Sequence, residues 1–188
     1  MDAGSSAESD AKSRARLIMD GLKRAGIDLV TTLPDTWISD LIDAADRDPA
    51  MTVVRVTRED DGVGVCAGAF LGGRKAALLA QNGGMLLSVN PLAAYAMSHM
   101  IPVPMLLVQR GSYDDAQYYQ IYKGRATIPV LDAIGIPYHT IDGPEQFYII
   151  EEAVRECFLA RIPVALLLTR RAMIGTSKPK DDAGGRPS

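Results

Sequence analysis

Three consecutive carboxylates, Glu59-Asp60-Asp61, stand between a β-branched run and a segment of small residues. They open the stretch Thr57 to Gly84, TREDDGVGVCAGAFLGGRKAALLAQNGG. Acidic side chains in the first turn of a helix are stabilised by the macrodipole, by about 0.3–1 kcal/mol each. Asp60 and Asp61 need no more explanation than that, with Thr57 as the candidate cap. Glu59 differs, because it follows the strand so closely that it should face the crevice beyond it. There a carboxylate can hydrogen-bond a ligand or move a proton.

Other chemistry-bearing patterns are weaker. Gly62-Val63-Gly64-Val65-Cys66-Ala67 fits the dinucleotide fingerprint G-x-G-x-x-G/A. The three acids before it would repel a pyrophosphate, and Gln81-Asn82 rather than an acid ends the next strand. Gly64, Gly68 and Gly72 recur every four residues on one helical face, which suits close packing of a partner helix. His99 and His139 have no spacing of a ligand pair or a triad. Ser88 and Ser98 lack a nucleophile-elbow context. Cys66 and Cys157 each lie in an apolar helical pattern and read as buried thiols of a reducing compartment. No Cys/His cluster suggests a zinc site, so no metal ligand is expected on this chain.

The elements that must position Glu59 follow from periodicity. Strands are expected at Ile27–Leu33, Thr52–Thr57, Lys75–Gln81, Pro102–Gln109, Pro137–Ile141 and Pro163–Thr169. Helices are expected at Ala11–Ala25, Trp37–Asp46, Arg58–Leu71, Met85–Met100, Thr127–Ile134 and from Gly143 to Ala160. Within them, Pro91 must start or kink the fourth helix, and Asn82-Gly83-Gly84 reads as a turn. The segment 110–125 is polar and Tyr-rich without a period, and long loops of this kind are usually functional. Strands alternate with helices six times, and the central strands are nearly continuous apolar runs. That predicts an α/β fold: a doubly wound, mainly parallel six-stranded sheet with helices on both faces. Its ligands would bind at the carboxyl ends of the strands.

The 188 residues suit one domain, expected over 11–172, between disordered tails at 1–10 and 173–188. A composition 47% hydrophobic and 23% charged supports a real core. The net charge of -3 argues against a general nucleic-acid or anionic-membrane binder. The N-terminus has no secretory pattern, and no apolar run approaches the ~20 residues of a membrane span. A cytoplasmic protein is expected.

The string Thr57 to Leu71 resembles the signature of the pyrimidine-binding (Pyr) domain of thiamine diphosphate enzymes. It is most similar to that of the sulfopyruvate and phosphonopyruvate decarboxylases. Leu33-Pro34-Asp35-Thr36, Gln81-Asn82-Gly83, Val89-Asn90-Pro91-Leu92, and Gly124-Arg125-Ala126-Thr127 with Leu131-Asp132 agree in order. The resemblance implies that Glu59 hydrogen-bonds N1′ of the cofactor's aminopyrimidine and so prepares removal of the thiazolium C2 proton. It sets Pro34, Glu59, Asn82 and Gly83 on the cofactor. Asp35, Thr36, Arg58 and Gln117 are assigned to the substrate side, with Arg58 as the only cation adjacent to the site.

The family holds the diphosphate and Mg²⁺ on a second domain through Gly-Asp-Gly with a downstream Asn, and neither is found here. The chain therefore resembles the α subunit of a split decarboxylase. A β subunit carrying the diphosphate and Mg²⁺ site would complete thiamine diphosphate binding in a hetero-oligomer. The substrate implied is an anionic 2-oxo acid such as sulfopyruvate. Phosphonopyruvate, another 2-oxo acid or carboligation remain alternatives, as does a non-catalytic α/β binding or regulatory subunit. Two segments depart from the family. Gly83-Gly84-Met85-Leu86-Leu87 replaces Ser-Gly-Leu-Gly-Asn, and Asp115-Ala116-Gln117-Tyr118 replaces Glu-Pro-Gln-His. Leu86 and Leu87 would make the pocket more apolar than a sulfonate needs.

Overall fold

The computed structural model describes residues 3–112, 115 and 117–175, with side chains from residue 10 onward. Its strands are β1 (Leu29–Thr32), β2 (Thr52–Arg55), β3 (Ala76–Gln81), β4 (Pro104–Val108), β5 (Tyr138–Ile141) and β6 (Val164–Leu168). They form one sheet in the order β2-β1-β3-β4-β6-β5, and every pairing is parallel. The helices are α1 (Ala3–Arg24), α2 (Ser39–Asp46), α3 (Glu59–Leu71), α4 (Asn82–Leu87), α5 (Val89–Pro91), α6 (Ile121–Ile134), α7 (Tyr148–Ala160) and α8 (Arg170–Met173). The doubly wound α/β fold expected from the alternation is the one observed.

Two cores sandwich the sheet because side chains alternate along each strand. Leu79 lies opposite Leu106, and Leu106 opposite Leu166. These three face α1, α2, α7 and α8. One residue along, Leu78, Met105, Leu107 and Leu167 face α3, α4 and α6. Both faces are covered, so both sets must be apolar, and the strands read as unbroken apolar runs. Each fully buried leucine contributes about 1.5–3 kcal/mol. The covering helices need only a stripe: α7 buries Ile150, Ala153, Val154 and Cys157, one helical face.

Glycine sets how closely α3 lies on the sheet. A Cβ on Gly62 would sit 2.8 Å from Leu78 Cδ1 and 3.2 Å from Thr31 Oγ1. Gly64 and Gly68 have nothing within 4 Å of such a Cβ. They line an open groove of about 690 Å³ with Ala67, Phe70, Tyr95 and Met100. All three glycines are inside α3 rather than in a loop, so the fingerprint forms no phosphate cradle.

Several boundaries move. α1 begins at Ala3, so part of the stretch expected as a disordered N-terminal tail is helical. Nothing between Ser5 and Ala11 is Pro or Gly, so no residue there stops the helix. At the other end, Thr169 caps the short α8, its Oγ1 accepting from the Ala172 N–H at 3.3 Å. The expected tail from residue 176 onward lies outside the described residues. The expected turn Asn82-Gly83-Gly84 is the first turn of α4. The single helix expected over Met85–Met100 is broken instead. Ser88 Oγ donates to Gly84 O at 2.7 Å, Pro91 removes an N–H, and Leu92–Met97 form a π-helical turn. α6 starts at Ile121, not Thr127, after a 3-10 turn at Tyr118–Gln120. Thr127 is tolerated inside it because its hydroxyl donates to Lys123 O at 2.7 Å. Of the Tyr-rich segment, Tyr113, Asp114 and Ala116 lie outside the described residues.

Candidate active site

The chain steps outward from β1 to β2, then returns through α3 to β3 on the other side of β1. In open α/β sheets a ligand crevice lies outside the carboxyl ends of the strands at such a switch. Pro34, Asp35 and Thr36 follow β1 there, Asn82 and Gly83 follow β3, and Glu59 is the first residue of α3.

Glu59 is buried. Among the described residues its carboxylate takes no hydrogen bond or ion pair. It presses on α4: a Cβ on Gly84 would overlap Glu59 Cγ and lie 2.6 Å from Cδ and 2.7 Å from Oε1. Gly84 is thus required here as glycine, because the Glu59 carboxylate occupies the space of a side chain. The expected Thr57 cap is not made; Arg58 is the N-cap in extended conformation, without a side-chain cap bond. Arg58 instead reaches Asp60 through two contacts, at 3.0 and 2.9 Å. That bond holds the Asp60 carboxyl below its ordinary range and the guanidinium above its own. The pair is exposed and contributes little to stability.

We expect Gly84→Ala to displace the Glu59 carboxylate. Activity measured with the complete enzyme should fall by about 10²-fold, the cost of roughly a 1 Å misplacement. Far-UV circular dichroism should stay unchanged. Full activity in the variant would show that the contact is not needed.

The site contains a second constellation, around Arg110. Its guanidinium donates to Asp35 Oδ2 at 3.1 Å and to Asp115 Oδ2 at 2.9 Å, and its face lies 4.3 Å from the Trp37 ring centroid. Only 6% of the Arg110 side chain and 2% of the Asp115 side chain are exposed. Burial pushes the Asp115 carboxyl up. Arg110 and the N–H groups of Gly111 and Gln117 outweigh that and leave it below the ordinary range. Asn82 ties this cluster to α4 and α6. Its Nδ2 donates to Arg110 O at 3.0 Å and Thr127 Oγ1 at 2.9 Å, while its Oδ1 accepts from the Arg110 N–H at 3.2 Å. The Asn82 side chain is therefore fully engaged within the chain.

The expected substrate residues do not converge. Asp35 is engaged by Arg110. Thr36 and Pro34 are exposed, and Thr36 O accepts from Ser39 Oγ at 3.1 Å. Gln117 is exposed and joined to Asp115 through its backbone N–H. Arg58 is not the only cation beside the site, because Arg110 and Lys123 are there too. A Cβ on Gly83 would sit 3.1 Å from Lys123 Cδ and 3.4 Å from Gln81 Oε1. The end of the fourth strand, Gln109-Arg110-Gly111, is visibly polar in the sequence and was the one available signal for Arg110. Lys123 lay in the segment expected as a loop and gave none. Leu86 packs partly buried on the α3 side of the core, while Leu87 is exposed.

Whether these residues fit a polar heterocyclic cofactor is tested by their unmet bonds. Among the described residues Thr32 Oγ1 and Gln81 Oε1, at the last positions of β1 and β3, and Gln109 Oε1, just beyond β4, are buried without a hydrogen-bond partner, as is Thr31 Oγ1 against Gly62. Buried polar atoms are normally paired, so unpaired ones at the carboxyl ends of β1, β3 and β4 suit a ligand that brings its own hydrogen-bonding groups. The residues present fit such a group.

A parallel doubly wound sheet with, among the described residues, one buried glutamate at its switch point has the form of an α/β domain that takes a ligand there. Residues 13–131 match the family described as the thiamine pyrophosphate enzyme, N-terminal TPP binding domain, and the chain belongs to that family. The sulfopyruvate decarboxylase subunit alpha of Methanococcus maripaludis is 34% identical over 145 residues, covering 77% of this chain and 87% of that protein. A sulfopyruvate decarboxylase of Methanosarcina acetivorans is 28% identical over 170 residues, 90% of this chain but 43% of that protein. The phosphonopyruvate decarboxylase of Streptomyces viridochromogenes is 29% identical over 156 residues, 80% of this chain and 39% of that protein.

Proposed function

We propose that this chain is the α subunit of a split thiamine diphosphate-dependent 2-oxo acid decarboxylase acting on sulfopyruvate or a close anionic analogue. The observation that carries the reading is Glu59: buried, without a hydrogen-bond or ion-pair partner among the described residues, at the switch point, and seated against a glycine that makes room for it. Its carboxylate is placed to accept a hydrogen bond from N1′ of an aminopyrimidine. Pro34, Gly83 and the backbone at Asn82 border the same crevice. When bound, thiamine diphosphate supplies a nucleophilic carbon for the 2-oxo group and an electron sink for the pair released with CO2. The protein's part is to hold the proton at N1′ through Glu59, to keep water from that carboxylate, and to orient the substrate.

A partner subunit supplies the diphosphate and Mg²⁺ site, so the active site forms between two chains. The match over most of the Methanococcus subunit alpha supports this assignment. Among the described residues no group of three His, Cys, Asp or Glu is placed to hold a metal, and no helix is long and apolar enough to cross a membrane. We take the working compartment to be the cytoplasm, in keeping with two buried free thiols.

The test is reconstitution of the chain with a partner carrying Gly-Asp-Gly, thiamine diphosphate and Mg²⁺, followed by CO2 release from a panel of 2-oxo acids. Sulfopyruvate should be the best substrate, with 3-phosphonopyruvate second and uncharged 2-oxo acids slower. Release from none of them would sink the reading. Tight binding of thiamine diphosphate to the isolated chain, read by calorimetry, would sink the shared site.

A further inference from the structure

Resting on the decarboxylase reading above, we propose that Lys123 recognises the anionic group on the third carbon of the substrate and so sets the preference for charged over uncharged 2-oxo acids. Negative charge dominates the crevice. Arg110 is held between Asp35 and Asp115, and Glu59 adds another carboxylate. Arg58 points away onto Asp60. Two carboxylates thus share one buried guanidinium and Glu59 adds a third negative charge, so an incoming dianion is repelled unless a further cation offsets them. Lys123 is that cation.

Lys123 is half-buried, and among the described residues its ammonium has neither a hydrogen bond nor an ion pair. Its neighbour is the Tyr119 ring, 5.9 Å from the nitrogen to the centroid. Half-burying an unpaired ammonium is unfavourable, so a partner from outside the chain would gain in binding there. The stem of Lys123 runs along Gly83, as the Glu59 carboxylate does along Gly84. The two side chains therefore flank neighbouring residues in the first turn of α4.

The lysine is also held firmly. A Cβ on the next residue, Gly124, would lie 2.6 Å from Gly111 O and 2.8 Å from Arg110 O, so α6 abuts the end of β4. Lys123 O accepts from Thr127 Oγ1, which accepts from Asn82 Nδ2. With the element braced, only the Lys123 side chain remains to be ordered when a ligand arrives.

The substrate's own carboxylate is the wrong partner. It must shed its charge as CO2, and a cation against it would stabilise the ground state over the transition state. A sulfonate on the third carbon keeps its charge throughout, so its contact with Lys123 costs nothing in the chemical step. An ammonium, a compact point charge on a flexible stem, suits such a group.

The experiment compares Lys123→Ala, Lys123→Gln and Lys123→Arg with the unmodified chain, each in the complete complex with thiamine diphosphate and Mg²⁺. The substrates are sulfopyruvate and uncharged 2-oxobutanoate. In Lys123→Ala the KM for sulfopyruvate should rise by roughly ten- to a hundredfold, the scale of a lost charged hydrogen bond, with kcat little changed. Kinetics with 2-oxobutanoate should not move, Lys123→Gln should resemble Lys123→Ala, and Lys123→Arg should recover most of the loss. A second readout is thermal stabilisation by 3-sulfolactate, which lacks the reacting 2-oxo group. It should raise the melting temperature of the unmodified complex and not that of Lys123→Ala.

An unchanged preference for sulfopyruvate in Lys123→Ala overturns the inference. So does an equal loss with both substrates, which would mean that Lys123 meets the departing carboxylate or merely braces Gly83. If the unmodified complex releases no CO2 from any 2-oxo acid, the decarboxylase reading fails by itself. The sulfolactate shift then still decides whether Lys123 binds a sulfonate.

Discussion

Glu59→Gln lowers CO2 release by the complete enzyme by about 10²–10⁴-fold, the range for losing a group that manages a proton. The substitution is isosteric, so the amide still fits against Gly84 and the fold is kept. In the proposed role, what disappears is the charge that makes the oxygen a strong acceptor at N1′. Stability should move the other way. An unpaired buried carboxylate is unfavourable for the chain alone, and a neutral amide relieves it. The melting temperature of the isolated chain is therefore expected to rise by a few degrees. Loss of activity together with a gain in stability identifies a residue held for chemistry. A variant that releases CO2 at the unmodified rate would remove Glu59 from the mechanism.

Arg110→Met destabilises the chain by about 3–5 kcal/mol, because it leaves Asp35 and Asp115 buried together without their cation. For a domain of this size that lowers the melting temperature by roughly 6–20 °C. The effect depends on pH, with a definite sign. Asp115 has a folded pKa below its unfolded value, since Arg110 and two backbone N–H groups outweigh the burial that raises it. Its contribution is present above the unfolded value, about 3.9, and is lost as the pH falls through the lower folded value. Arg110, raised by the same contacts, stays charged throughout. In Arg110→Met the orphaned carboxylates gain from protonation instead. The gap in melting temperature between the two proteins should therefore narrow between about pH 7 and about pH 3. A gap that is small or independent of pH would show that the cluster is solvated and of little weight.

How much of this was legible in the sequence differs between fold and site. The fold was, because a sheet covered on both faces forces apolar residues at nearly every position of its central strands β3, β4 and β6, and that pattern is local. Glu59 was legible for the same reason: a strand end, a helix start and the crevice between them follow from order along the chain. Gly84 was visible as a turn residue, but its purpose was not. The atom it accommodates belongs to α3, which no local pattern places against α4. Arg110 was missed as a buried cation because its two carboxylates come from the loop after β1 and from the segment after β4. Lys123 was missed because the start of α6 is tertiary in origin, set by Thr127, Asn82 and the contact between Gly111 and Gly124. The broken helix after β3 was half legible, through Pro91, while the π-helical turn beyond it was not.

The sheet ends on two four-residue strands, β2 and β5. On β2, Thr52 and Arg55 are exposed, and Arg55 pairs with Asp46 of α2. Both edges are short and β2 also bears a charge, so they give another chain little backbone to add to. For a chain proposed to work as one of two subunits, this bears on the interval between synthesis and assembly. An unassembled copy is guarded against growing into strand-paired aggregates by its outermost strands, whatever happens on its helical faces.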